Sequence, residues 1–306
     1  MQNTPLTLEQ IVRKNKQADL TVATIGIIIL LIAMSLLVSV FADLIYSGLP
    51  RLFDAKFYTN FPSRHPEQAG ILSAWVGTSL VMLVTACIAI PFGVAAGLYL
   101  EEYAPKNWLT NIIEINVSNL AGVPSIIYGL LALGLFIYGF GLGESIITAG
   151  LVLALLILPV IIVSTRESIR SIPLELREAA YGLGADQWQT VRMYILPAAR
   201  PGILTGTIVG LARAIGEAAP VITIGALTFI AFLPSSPFQS EFPFINFEWL
   251  SSPFTLMPIQ LFNWVSRPQA EFHINAAATG VVLMAMTILM NGIAIYIRYR
   301  LRRNLK

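Results

Sequence analysis

Apolar and polar residues along this chain fall into long blocks rather than into the short spacings of a soluble fold. Six apolar blocks approach the ~20 residues needed to cross a bilayer. They cover about 20–46, 74–98, 112–138, 145–164, 202–232 and 275–299. The pattern predicts an all-α polytopic membrane protein with about six transmembrane helices. Residues 1–73 would hold an N-terminal segment, the first helix and a first outer loop. Residues 74–299 would form the membrane core, and 300–306 a basic tail. Pro91, Pro124, Pro159 and Pro220 lie inside four of the blocks; membrane bundles tolerate such kinks because neighbours re-satisfy the freed carbonyls. The fifth block is too long for one straight pass, so a kink or break is expected at Pro220. Gly93 and Gly97 make one small-residue face, and Gly202, Gly206, Gly210, Ala214 and Ala218 make a longer one at four-residue spacing. Small faces let helix backbones approach closely, which predicts a central fifth span.

The longest polar interruption on one side, 171–200, reads as a helix–turn–helix elbow. Pro173 suits the first position of a helix, where its missing N–H would be unpaired anyway. Glu175 and Glu178 sit near the positive end of that helix, and Ala179 and Ala180 give it a small face. Gly182 and Gly184 can supply the left-handed turn that ends it. Asp186, with Gln189 three residues on, reads as a capping box for a second short helix. On that helix Trp188, Val191 and Ile195 recur at helical spacing and predict an apolar stripe.

Composition agrees with a lipid environment. The chain has 306 residues, 56% hydrophobic and 12% charged, with mean hydropathy +0.73; a soluble domain carries about 25% charged residues. No cleavable leader is expected, because the first apolar block is too long and lacks a small-residue cleavage site. The single Cys87 rules out an internal disulfide. A net charge of +2 is too even to suggest nucleic-acid binding. The placement of charge says more than its sum. Arg13, Lys14, Lys16, Lys106, Arg166, Arg170, Arg177, Arg192, Arg200, Arg298, Arg300, Arg302, Arg303 and Lys306 fall on one side, against Arg51, Lys56, Arg64 and Arg267 on the other. That bias puts both termini and the elbow in the cytoplasm. Of the outer loops, 233–274 is the longer and carries Pro234, Pro237, Pro243, Pro253 and Pro258. It reads equally as a solvated connector or as a docking surface. Its apolar stretch 259–265 is too short to span, and either lies on the outer face or dips partway in.

Arg213 is the cation inside a span. Twelve residues separate it from Pro201, roughly 18 Å of helix at ~1.5 Å per residue, which places it near the middle of a core ~30 Å thick. A charge there costs ~2.5–3.5 kcal/mol even on the lenient scale, so it needs a partner or a wet cavity. Glu217, four residues on, is within reach. Two readings stand: a self-paired structural ion pair, or a pathway cation that meets a passing anion. Arginine suits phosphate-type anions because its planar fork donates two parallel hydrogen bonds. Ser125 and Tyr128, after Pro124, can hydrogen-bond a solute or serve as packing and capping groups, as can Asn119. His65 and His273 have no metal-ligand spacing and read as surface residues. Glu101 and Glu102 read as a solvated helix end, with contact to the elbow as the alternative.

Two sets of residues carry a family resemblance. Glu178-Ala179-Ala180, then Gly184, Tyr194, Leu196 and Pro197, resembles the EAA loop of ABC-importer permeases, with Tyr194 where the family more often has Ile. Ala212-Arg-Ala-Ile-Gly-Glu-Ala-Ala-Pro220, Gly122-Val-Pro-Ser-Ile-Ile-Tyr-Gly129 and Gly97-Leu-Tyr-Leu-Glu-Glu-Tyr103 resemble segments of inorganic-phosphate importer permeases, of the PstA type over the PstC type. The resemblance runs from about residue 93 to 295. It implies a type I ABC importer (MetI-like) architecture and a non-catalytic transport subunit in a bacterial cell membrane. It further implies a sister permease (PstC-like), two copies of a cytoplasmic ATPase (PstB-like) that bind the ATP and Mg, and an extracytoplasmic phosphate-binding protein. The elbow would seat in the ATPase, and Arg213 with Glu217 would serve phosphate passage. Another oxyanion such as sulfate or molybdate stays open as the solute, and an ion-gradient-driven transporter as the mechanism. No Gly-x4-Gly-Lys-Ser/Thr run is present, so ATP hydrolysis is expected in a partner.

Overall fold

The computed structural model describes residues 8–237, 244 and 246–303. Pro243 and Lys306 lie outside these residues, as do the side chains of Arg13, Lys14, Arg302 and Arg303. Among the described residues the fold is helical: α1 (Leu8–Leu52), α2 (Ala55–Thr59), α3 (Leu72–Leu98), α4 (Trp108–Leu120), α5 (Ser125–Ala132), α6 (Ile146–Arg170), α7 (Leu174–Gly182), α8 (Gln187–Thr190), α9 (Leu196–Ile215), α10 (Ala219–Thr223), α11 (Met257–Val265) and α12 (Ala270–Arg303). Three π-helical turns join or extend them, at Tyr99–Tyr103, Leu133–Gly139 and Val191–Ile195. Five helical stretches are long and apolar enough to cross a membrane, and a bent pair makes a sixth. The protein is therefore a multi-pass membrane protein.

The bent pair replaces the straight third span expected from 112–138. Trp108–Leu120 and Ser125–Gly139 meet at 108°. The cause is Pro124, which disfavours helical backbone at Val123 and cannot donate to the preceding turn. The expected fifth span of 202–232 is likewise broken. It runs unbroken from Gln187 to Ile215, stops at Gly216, and resumes as the short α10 before irregular chain. The break falls ahead of Pro220, which stands near the start of α10.

The helix at the centre is α6 and not the fifth span. In α6, 67% of the apolar window is buried, against 39% for the Gln187–Ile215 helix. The small-residue stripes explain why. A Cβ on Gly93 would fall 2.7 Å from Ile161 Cγ2, and one on Gly97 2.7 Å from Thr165 Cβ. On the adjacent strip of α6, Gly202 and Gly206 press against Ser168 and Ser164. Thus α3 and α9 both seat their glycine faces on α6, and α9 packs against α12 as well. Beside that glycine stripe, Thr205, Val209 and Arg213 stay exposed.

The end of the bundle away from the 171–200 elbow is capped by a second cluster of Phe57, Ile71, Met257, Trp264 and Phe272. Stretch 259–265 forms most of α11, which packs back against α3 and α12; Met257 N donates to Thr78 Oγ1 at 2.9 Å. Arg51 pins this cap, donating to Asn275 Oδ1 (2.9 Å), Asp54 Oδ2 (2.7 Å) and Ala69 O (2.6 Å).

Candidate functional site

Two places carry the candidate residues: the elbow at 171–200, and the junction of the two broken spans. In the elbow, Pro173 is the residue before α7 rather than its first member, with extended backbone at φ −54°, ψ 141°. Gly182 ends α7, and Gly184 takes the left-handed turn at φ +85°. The capping box forms as expected: Gln189 N donates to Asp186 Oδ1 at 2.7 Å, and Asp186 N to Gln189 Oε1 at 3.0 Å. Val191 and Ile195 are buried with Ala199 and Ile203 against Ile169 and Ile172. Trp188 departs from that stripe and is 57% exposed. The π turn at Val191–Ile195 adds a residue to the turn and so rotates Trp188 away from the face of Ile195.

The elbow shows a largely unburied surface. Of α7 only Ala180 is buried, while Glu178 and Ala179 are exposed. Leu174, Tyr181, Leu183, Trp188 and Met193 are exposed as well, Leu183 at 84%. Leu196 and Pro197 are half-buried at the start of α9, and Tyr194 is exposed. Clustered exposed apolar side chains of this kind are found at surfaces that contact another protein or a membrane.

Behind the elbow lies a charge network that spacing alone does not reveal, because its members are 52 to 85 residues apart in the chain. Glu101 and Glu102 belong to the π turn after α3. They are not a solvated end: their side chains are 16% and 7% exposed. Glu101 pairs with Arg166 (3.4 Å) and Arg170 (3.0 Å) of α6. Arg166 also holds Glu114 of α4 at 2.8 Å. Glu102 pairs with Arg177 of α7 at 2.8 Å, and its carbonyl accepts from Gln187 Nε2 at 2.6 Å. Arg177 further donates to Ile172 O and Ile169 O. A burial signal was present in the sequence, since Glu101 and Glu102 follow an apolar span without a break.

At the junction, Arg213 occupies the last turn of α9, where a cation complements the helix dipole. Glu217 lies in the break, and its Oε1 is 3.6 Å from Arg213 Nε. The two side chains keep 38% and 20% of their exposure, so the pair is not sealed in the core. α5 crosses α10 tightly: a Cβ on Gly129 would strike Thr223 Oγ1 and the Pro220 backbone. Tyr128 is buried, and its hydroxyl donates to Leu120 O at 2.7 Å, bridging the α4–α5 bend. Arg213 lies within electrostatic reach of it. Ser125 is half-buried as the first residue of α5, and Asn119 is exposed near the end of α4. His65 and His273 are exposed in the outer region. Among the described residues no group of three or more His, Cys, Asp or Glu side chains could hold a metal.

Known proteins resemble the chain over most of its length. The family model for the binding-protein-dependent transport system inner membrane component matches residues 89–303. The probable ABC transporter permease protein YqgI of Bacillus subtilis is 31% identical over 83% of this chain and 87% of its own. The phosphate transport system permease protein PstA 1 of Mycobacterium tuberculosis is 30% identical over 76% of this chain and 73% of its own. Among solved structures, the inward-facing MetNI methionine ABC transporter superposes with a TM-score of 0.57 at 18% identity, covering 76% of this chain and 95% of that one.

Proposed function

The chain belongs to the family of binding-protein-dependent transport system inner membrane components, and from that membership we propose that it moves inorganic phosphate into a bacterial cytoplasm. In this reading it is the PstA-type permease of an ATP-driven importer and does no chemistry of its own. It pairs with a PstC-type permease, rests on two copies of a PstB-type ATPase that bind ATP and Mg, and receives phosphate from an extracytoplasmic binding protein. Both termini face the cytoplasm. The observation that carries the coupling role is the elbow, a capped, glycine-turned helix pair with exposed apolar side chains and a single buried residue in α7. The solute reading draws on the PstA relatives and on Arg213, whose guanidinium stays 38% exposed in the last turn of α9.

The paired Glu217 leaves both Nη groups of Arg213, with four N–H donors, for a tetrahedral oxyanion, while its charge limits how long a dianion is held. Uptake of labelled phosphate into vesicles carrying the reconstituted importer tests the proposal. Uptake requires ATP and is competed by unlabelled phosphate. Competition by sulfate or molybdate alone reassigns the solute, and uptake sustained by an ion gradient without ATP overturns the coupling role.

A further inference from the structure

We infer that Glu102, with Arg177 and Gln187, is the tie that transmits movement of the elbow to the membrane core. Its residues are positioning residues for the transport step. This rests on the coupling role proposed for the elbow. The packing makes the tie conspicuous. α7 buries Ala180 alone, so apolar contact hardly fastens it. What fastens it is polar: Arg177 holds the Ile169 and Ile172 carbonyls, and both arms of the elbow meet at Glu102. Arg177 Nη2 donates to the Glu102 carboxylate at 2.8 Å, and Gln187 Nε2 from α8 donates to the Glu102 carbonyl at 2.6 Å. The neighbouring Glu101 grips α6 through Arg166 and Arg170. The Glu102 carboxylate and main-chain carbonyl, with the Glu101 carboxylate beside them on one π turn, therefore join both arms of the elbow to α3 and α6, the helices packed on each other at the centre of the fold.

A cavity of about 810 Å³ opens beside this tie, lined by Glu101, Glu102, Lys106, Arg170, Pro173 and Arg177. It leaves the start of α7 without a packed floor, so the elbow has room to tilt, and the tie sets where the tilt is felt. A π turn suits this position. Its wider ring leaves the Tyr99–Tyr103 backbone outside the regular α ladder, a feature often found at working sites. With Glu102 neutralised, the elbow still offers its exposed face to a partner but pulls on the core less firmly.

The test is carried out on the complete importer in vesicles, with inorganic phosphate as the probe. Glu102→Gln is expected to leave recovery of the ATPase with the complex and ATP hydrolysis at wild-type levels. Phosphate taken up per ATP hydrolysed is expected to fall about fivefold or more, the low end of coupling between distant sites. The Glu102→Gln/Arg177→Gln double variant should be no worse than either single, as befits one shared interaction. Gln187→Ala, at an exposed residue, loses one strand of the tie and should give a smaller loss of the same kind even where Glu102→Gln fails to assemble. An unchanged uptake per ATP in Glu102→Gln overturns the inference, as does a Gln187→Ala variant that hydrolyses and transports like wild type. Gly184→Trp is the control for the underlying reading. Should it retain its ATPase, the elbow is not the docking element, whatever Glu102 does.

Discussion

Single residues define the two candidate sites, and each makes a sharp demand. Arg213 sits in the last turn of α9 with its guanidinium 38% exposed and Glu217 at 3.6 Å. Arg213→Gln keeps most of the side-chain volume and removes the charge. It is expected to reduce phosphate uptake to background while the complex is recovered in normal yield; near-normal uptake would end the pathway role. At Gly184 the backbone has φ +85°, and no other atoms stand near the position a Cβ would take. Strain alone decides the outcome there. Gly184→Val places a β-branched residue in left-handed backbone at a cost on the order of 1–3 kcal/mol. The expected result is loss of the ATPase on purification with the membrane protein itself still stable. Both residues were legible from sequence, one because a lone charge in an apolar block stands out, the other because a turn glycine follows a capped helix. Glu102 was legible only in part, because its place straight after an apolar span hints at burial but its partners Arg177 and Gln187 are remote in the chain.

At the scale of helices, the deciding contacts are backbone against side chain. The Gly206 face of α9 meets Ser164 of α6 with no room for even a methyl group. Gly206→Leu overpacks that seam, which typically costs about 1–3 kcal/mol and can cost more. A lowered thermal midpoint for the detergent-solubilised protein is expected, while Gly26→Leu, where a Cβ meets nothing within 4 Å, should leave the midpoint alone. The six apolar blocks and the glycine stripes could be read from spacing. The stripes could not say which helix is shared by both, so α6 rather than α9 proved central. Hydropathy also passes over a bend, because Gly122, Val123 and Pro124 are as compatible with a straight apolar span as with the 108° turn they make.

For the whole molecule, sidedness is the testable quantity. With Cys87 replaced by Ala, a cysteine at Ala179 should react with a membrane-impermeant maleimide only in inside-out vesicles. One at exposed Arg64 should react only in right-side-out cells; labelling in the reverse sense would place the elbow where no cytoplasmic ATPase can reach it. The charge bias carried this orientation, while the packing of the outer cap, where Arg51 gathers Asp54, Ala69 and Asn275, lay beyond any pattern in the chain. One consequence follows from the two glycine seams on α6. Because Gly93 and Gly97 close on Ile161 and Thr165, and Gly202 and Gly206 close on Ser168 and Ser164, without room for an added Cβ, these three helices have little slack to slide past one another. They travel as a single plank, and a gate in this subunit has to swing at the plank's edges, where the chain is already jointed at Pro124 and Gly216.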